Sequence, residues 1–130
     1  MMSSYRKANL DEMAAEKWPH WIPVRHYFSI DAFGVNAYRA KAGATAVPEH
    51  DERSSGHVEL FSVANGNARF TIDGEEFDAP AGTFVYIDEP NAKRAAQANE
   101  DGTVVVAVGS LRGKPYEVLG WDTRYLEADE

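Results

Sequence analysis

The chain contains no cysteine, which excludes disulfides and thiolate metal sites. It carries no apolar run long enough to span a bilayer. Its opening, MMSSYRKANLDEM, lacks the apolar stretch of a secretory signal. These absences predict a soluble, cytoplasmic protein with no membrane partner. Positive charge is also scarce: thirteen Lys and Arg stand against twenty-one Asp and Glu, for a net charge of −8. A field of that sign repels phosphate backbones, so nucleic acid is not an expected partner. There is no Gly-rich phosphate loop, no nucleophile elbow and no internal repeat.

What is present is a chain of 130 residues, 44% of them hydrophobic, enough to bury a core without staples. One domain is expected, with a lead-in over 1–22, a β-rich body over 23–110 and an extension over 111–130. NLDEMAAEK (9–17) predicts one short helix: Asn9 caps it, Asp11 and Glu12 suit its positive end, and Pro19 stops it. From there to about residue 108 the period is that of strands. IPVRHYFSI and GVNAYRAKAG are β-rich runs. Asn65-Gly66 and Asp73-Gly74 carry residues that tolerate positive φ, as two-residue hairpin turns require. They predict strands over 57–64, 68–72 and 75–78, with another over 83–87. TVVVAVG is a continuous apolar run, expected to be a strand buried on both faces. Eight to ten short strands at this spacing predict an all-β sandwich or barrel. The acidic tail RYLEADE is expected to fray.

The chemistry-bearing residues concentrate in HDERSSGHVE, where two histidines and three carboxylates fall within ten residues. Gly43 precedes this stretch, and Gly66 follows Glu59 at a short interval. PAGTFVYIDEPNAKRAAQ follows, with Gly82 after a proline and a hydrophobic strand beyond it. This order of pieces, over roughly 35–110, resembles the cupin superfamily of small jelly-roll barrels. The resemblance implies a single jelly-roll barrel (a double-stranded β-helix) with a short N-terminal helix. It also implies a metal held by three histidines and one glutamate, the last matched by Glu59. Both metal motifs are degenerate here. His50-Asp51-Glu52 stands where a His-x-His pair is expected, and counting from Gly82 places Lys93 where the last histidine would fall.

Side chains alternate across a strand, so His50 and Glu52 share one face, and His57, Glu59 and Phe61 share another. If those faces point inward, His50, Glu52, His57 and Glu59 supply four N/O ligands, suited to Fe, Mn, Zn, Ni or Cu. Alternatively, Glu52 and His57 lie in a solvated turn. Lys93 offers a different outcome: pointing inward, its ammonium neutralises Glu59 and leaves no place for a metal. Tyr38, Tyr86 and Asn36 are further candidates for the pocket mouth. The Trp18-Pro-His20-Trp21 cluster reads as a hydrophobic plug or a dimer contact. The expected partner is a small molecule, bound either by a metal-assisted enzyme acting on an oxygenated substrate or by a metal-free, non-catalytic binding or dimerising module. Open sheet edges predict a homodimer.

Overall fold

The computed structural model describes residues 4–127. Asn9 caps the first helix as expected. Its side chain accepts from the backbone N–H of Asp11, and the carboxylate of Glu12 accepts from the N–H of Asn9. That helix, α1 (Leu10–Met13), is a single turn and stops well short of residue 17. Ala14 already has extended dihedrals.

After the two-residue strand β1 (Trp21–Ile22) comes α2 (Val24–Phe28), in a stretch whose β-branched and aromatic residues predicted a strand. Pro23 supplies a helix-compatible φ of −80° at the N-cap, and Ser29 closes the helix in the left-handed region at φ 55°. Tertiary burial of Arg25 outweighs local strand propensity here.

Eight more strands follow among the described residues: β2 (Gly34–Ala40), β3 (Thr45–His50), β4 (Val58–Asn65), β5 (Asn67–Ile72), β6 (Glu75–Pro80), β7 (Phe84–Ile87), β8 (Arg94–Ala98) and β9 (Thr103–Ser110). They form two antiparallel sheets, ordered β1-β2-β9-β4-β7 and β3-β8-β5-β6. The main core draws on the inner faces of both, with Phe61, Val63 and Val105 from one and Val47, Phe70 and Ala96 from the other. Phe61 and Phe70 meet edge to face across it, centroids 5.7 Å apart. A second cluster, Met13, Ile22 and Ala37 with Val106 packed against it, covers the outer side of β2 and β9. The apolar run in β9 is therefore packed on both faces, as its continuity predicted.

Asp73 (φ 48°) and Gly74 (φ 84°) make the β5–β6 hairpin turn, with Ile72 and Glu75 paired across it. Asn65-Gly66 does not make a hairpin. β4 pairs with β7 and β9, and β5 with β6 and β8, so the turn carries the chain from one sheet to the other. Gly66 (φ 76°) packs so tightly on Thr103 that an added Cβ would lie 2.5 Å from the Thr103 hydroxyl oxygen. The side chain of Asn65 donates to the carbonyl of Gly102. The positive φ was legible; the sheet that each flanking strand joins was not.

The tail also departs from expectation. Trp121–Glu127 form a helix, α3, while residues 128–130 lie outside the described residues. Arg25 and Asp122 join α2 to α3 through two charge-assisted hydrogen bonds, from Nε at 2.8 Å and from Nη2 at 3.0 Å. None of the helices among the described residues is long and apolar enough to cross a membrane.

Candidate functional site

β3 ends at His50, and its register sets His50 opposite Arg94 of β8. Glu59 comes from β4 in the facing sheet, paired with Gly109 on one side and Ile87 on the other. Glu52 lies in the turn after β3, whose backbone is fixed by bonds from the Glu52 N–H to Pro90 O and from the Gly56 N–H to Glu52 O, both 2.7 Å. The end of β3 with its following turn, and β4, thus bring three side chains to one point. His50 Nε2 lies 3.0 Å from Glu52 Oε2 and 3.6 Å from Glu59 Oε1.

The other nitrogen of the ring explains its orientation. His50 Nδ1 lies 2.8 Å from the Pro48 carbonyl, a bond that makes Nδ1 the donor and aims Nε2 at the carboxylates. The Ser55 hydroxyl in turn donates to Glu52 Oε1 at 3.1 Å. Burial alone would push His50 toward the neutral form, but the bonds to Glu52, Glu59 and Pro48 prevail and raise its pKa to about 10. Burial likewise acts to raise the Glu52 pKa; the His50 bond and charge, then Ser55 and Arg94, bring it below the ordinary carboxylate value. Tyr38, desolvated beside Glu59 and Glu52, has its hydroxyl pushed upward and stays a neutral phenol.

Of the four ligands expected, His50, Glu52 and Glu59 converge, each offering an atom within 4.8 Å of the others. His57 does not join them. Its backbone N–H is tied to the Ser55 hydroxyl, and its buried ring packs against Tyr116, centroids 5.7 Å apart. It still lines the same cavity, of about 630 Å³, as do Tyr38 and Asn36.

Three pocket candidates lie elsewhere. Phe61 is fully buried in the inter-sheet core. Tyr86 is 58% exposed because β7 alternates, turning Val85 and Ile87 inward and Phe84 and Tyr86 outward. Lys93 is exposed, its backbone N–H bonded to the Asp73 carboxylate. The inward cation is its neighbour Arg94, 0% exposed, with Nη1 3.4 Å from Glu59 Oε1. The parity was readable in RAAQA: Ala96 and Ala98 belong inside and Gln97 outside, which forces residue 94 inward. Glu59 Oε1 and Arg94 Nε and Nη1 are buried without a hydrogen-bond partner of good geometry.

The far wall was not foreseen. Trp21 and Trp121 face each other at 5.6 Å, and Tyr125 lies edge-on to Trp121 at 5.8 Å and to Trp18 at 5.9 Å. The Trp18/Trp21 segment is thereby committed to this wall. Nothing in the local period of the tail indicated that Trp121 and Tyr125 would meet it, because the rings they meet, Trp18 and Trp21, lie far away in the sequence.

Two facing antiparallel sheets in this order, with few helices, define the fold as a cupin jelly roll. Solved structures agree. The chain is similar to a cupin protein from Bacteroides fragilis, at 21% identity and a TM-score of 0.68 over 87% of this chain and 89% of that one. It is similar to the plu4264 protein from Photorhabdus luminescens, at 18% identity and a TM-score of 0.66 over 97% of this chain and 100% of that one. An RmlC-like cupin from Shewanella frigidimarina matches at 18% identity and a TM-score of 0.52, over 64% of this chain and 70% of that one. No protein-family model matches the sequence, and no curated protein matches it.

Proposed function

We propose that the protein binds a small oxygenated molecule in the cavity between its sheets, over a divalent metal ion held by His50, Glu52 and Glu59. The observation that carries this reading is the convergence of one imidazole and two carboxylates, from the end of β3 with its following turn and from β4 in the facing sheet, with the imidazole oriented by Pro48. Glu59 Oε1 sits in ion-pair contact with His50 and Arg94 but makes no hydrogen bond of good geometry, which leaves it available to a metal. One nitrogen and two oxygen donors suit Fe, Mn, Zn, Ni or Cu without selecting among them. Bound there, the ion would supply Lewis-acid polarisation of a ligand oxygen. Tyr38, held as a neutral phenol, offers a hydrogen bond to that ligand.

One observation favours a second reading. Arg94 occupies the neutralising role considered for Lys93, and a buried guanidinium beside Glu59 opposes a second cation by several kcal/mol if unscreened. In that case the cavity binds its ligand without metal. Elemental analysis of the purified protein, Glu59→Gln and Arg94→His decides. Metal near one equivalent in the native protein, lost in Glu59→Gln, supports the first reading. A metal-free native protein in which Arg94→His takes up metal supports the second. Failure of all three to bind metal after incubation refutes the metal site. A homodimer completes the proposal; light scattering that reports one chain's mass at micromolar concentration would remove it.

A further inference from the structure

The cavity lining holds two chemically different groups of residues, and the second is specific in a way the metal site does not require. One group is His50, Glu52 and Glu59, with Arg94 against Glu59. The other is Trp18, Trp21, Trp121 and Tyr125, whose rings pack on one another as a wall. The charged groups near that wall, Arg25 and Asp122, are already engaged with each other. Arg25 is bound to both Asp122 oxygens and to the Ile30 carbonyl. Asp122 Oδ1 also accepts from the Thr123 N–H. The indole N–H groups of Trp18 and Trp21 are buried and have no hydrogen-bond partner.

A ring bearing hydroxyls would lose its water against this wall and find few partners in return. A flat apolar ring would lose nothing and gain stacking and edge contacts. In the first group, a divalent ion with Arg94 outweighs the two carboxylates by one positive charge, so the oxygenated head that completes the site is an anion.

We propose that the ligand is a planar aromatic carboxylate, its ring against Trp121, Trp21 and Tyr125 and its carboxylate directed to the His50–Glu52–Glu59 group. The inference rests on the metal-site reading above and names the class of molecule that site receives. A cavity of about 630 Å³ is within the range that encloses a two-ring molecule of this kind.

Calorimetric titration of zinc-loaded protein tests it, with 2-naphthoate, its uncharged twin 2-naphthylmethanol, and glucuronate as a hydroxylated ring carboxylate. Zinc uptake, measured first in the same cell, reports on the metal site alone. The expected result is saturable binding of 2-naphthoate, at least tenfold weaker binding of 2-naphthylmethanol, and no glucuronate binding. Trp121→Ala weakens 2-naphthoate roughly tenfold with zinc uptake unchanged, and Trp121→Phe restores most of the loss. If Trp121→Ala does not fold, the Trp121→Phe and Trp18→Phe pair and the ligand series still decide. Zinc uptake with glucuronate preferred over 2-naphthoate overturns the aromatic class and spares the metal site. Zinc uptake with no binding of any probe overturns the inference as a whole. Absence of zinc uptake defeats the metal-site reading, and the inference falls with it.

Discussion

Asp122→Asn removes the charge that pairs with Arg25 and leaves the shape of the side chain. Both partners are buried, at 8% and 2% exposure, and the pair is bidentate. Leaving one member of such a pair uncompensated costs about 3–5 kcal/mol. The lower figure applies here, because the pair lines an open cavity that admits water. The loss falls on α3. This helix is held to the body by the pair, by the contact of His26 Nδ1 with the Thr123 hydroxyl at 3.2 Å and by the rings of Trp121 and Tyr125, whereas the sheets keep all their ladders. About 3 kcal/mol corresponds to roughly a hundredfold increase in the open population of that helix. Hydrogen exchange followed by mass spectrometry should show protection over 121–127 falling by that factor, with β4, β9 and β5 little changed.

The same pair predicts the pH response. Burial acts to raise the Asp122 pKa, but the Arg25 bond and charge prevail and hold it below the ordinary carboxylate value. A carboxyl depressed in the folded state contributes stability that is complete above its unfolded pKa of about 3.9 and is lost as pH falls through the folded value. Protection of α3 should therefore be flat from neutral pH down to about 4 and decline below it. Protection over 121–127 that is the same in Asp122→Asn as in the native protein would refute the assignment of α3's docking to this pair.

Gly66→Ala forces a side chain onto a φ of 76° and to 2.5 Å from the Thr103 hydroxyl; a loss of about 2 kcal/mol or more is expected, read as a lower urea midpoint with an unchanged slope. Arg94→Met leaves Glu59 without its buried cation and should cost about 3 kcal/mol in the presence of a chelator. A metal at a hundredfold over its Kd should return about 2.7 kcal/mol of that, and a melting curve insensitive to metal in this variant would count against the site. Lys93→Ala, on an exposed residue, should change stability by no more than about 0.5 kcal/mol.

The sequence revealed most where a rule acts locally. Positive-φ residues placed the turn at Asp73-Gly74, and the Asn9–Glu12 pattern started α1 at the right residue; the motif resemblance together with strand alternation pointed to Glu59. It failed where a distant partner decides. VRHYF has strand propensity, yet it folds as a helix whose Arg25 reaches Asp122, ninety-seven residues away. Asn65-Gly66 looks the same in sequence as a hairpin turn. It becomes a corner because β9 and β7, not β5, take the edges of β4. Lys93 was considered as the inward cation, but the strand turns its neighbour Arg94 inward, and one residue in a strand exchanges the two faces. The parity of Ala96 and Ala98 was available to decide between them.

The central claim is that His50, Glu52 and Glu59 form one metal site in the cavity. Anomalous scattering from crystals grown with zinc or manganese, collected on both sides of the metal's absorption edge, tests it most directly. The predicted result is a single strong peak enclosed by His50 Nε2 and the carboxylates of Glu52 and Glu59, and absent from Glu59→Gln crystals. A map with no peak there, and His50 still bound to both carboxylates beside Arg94, would contradict it.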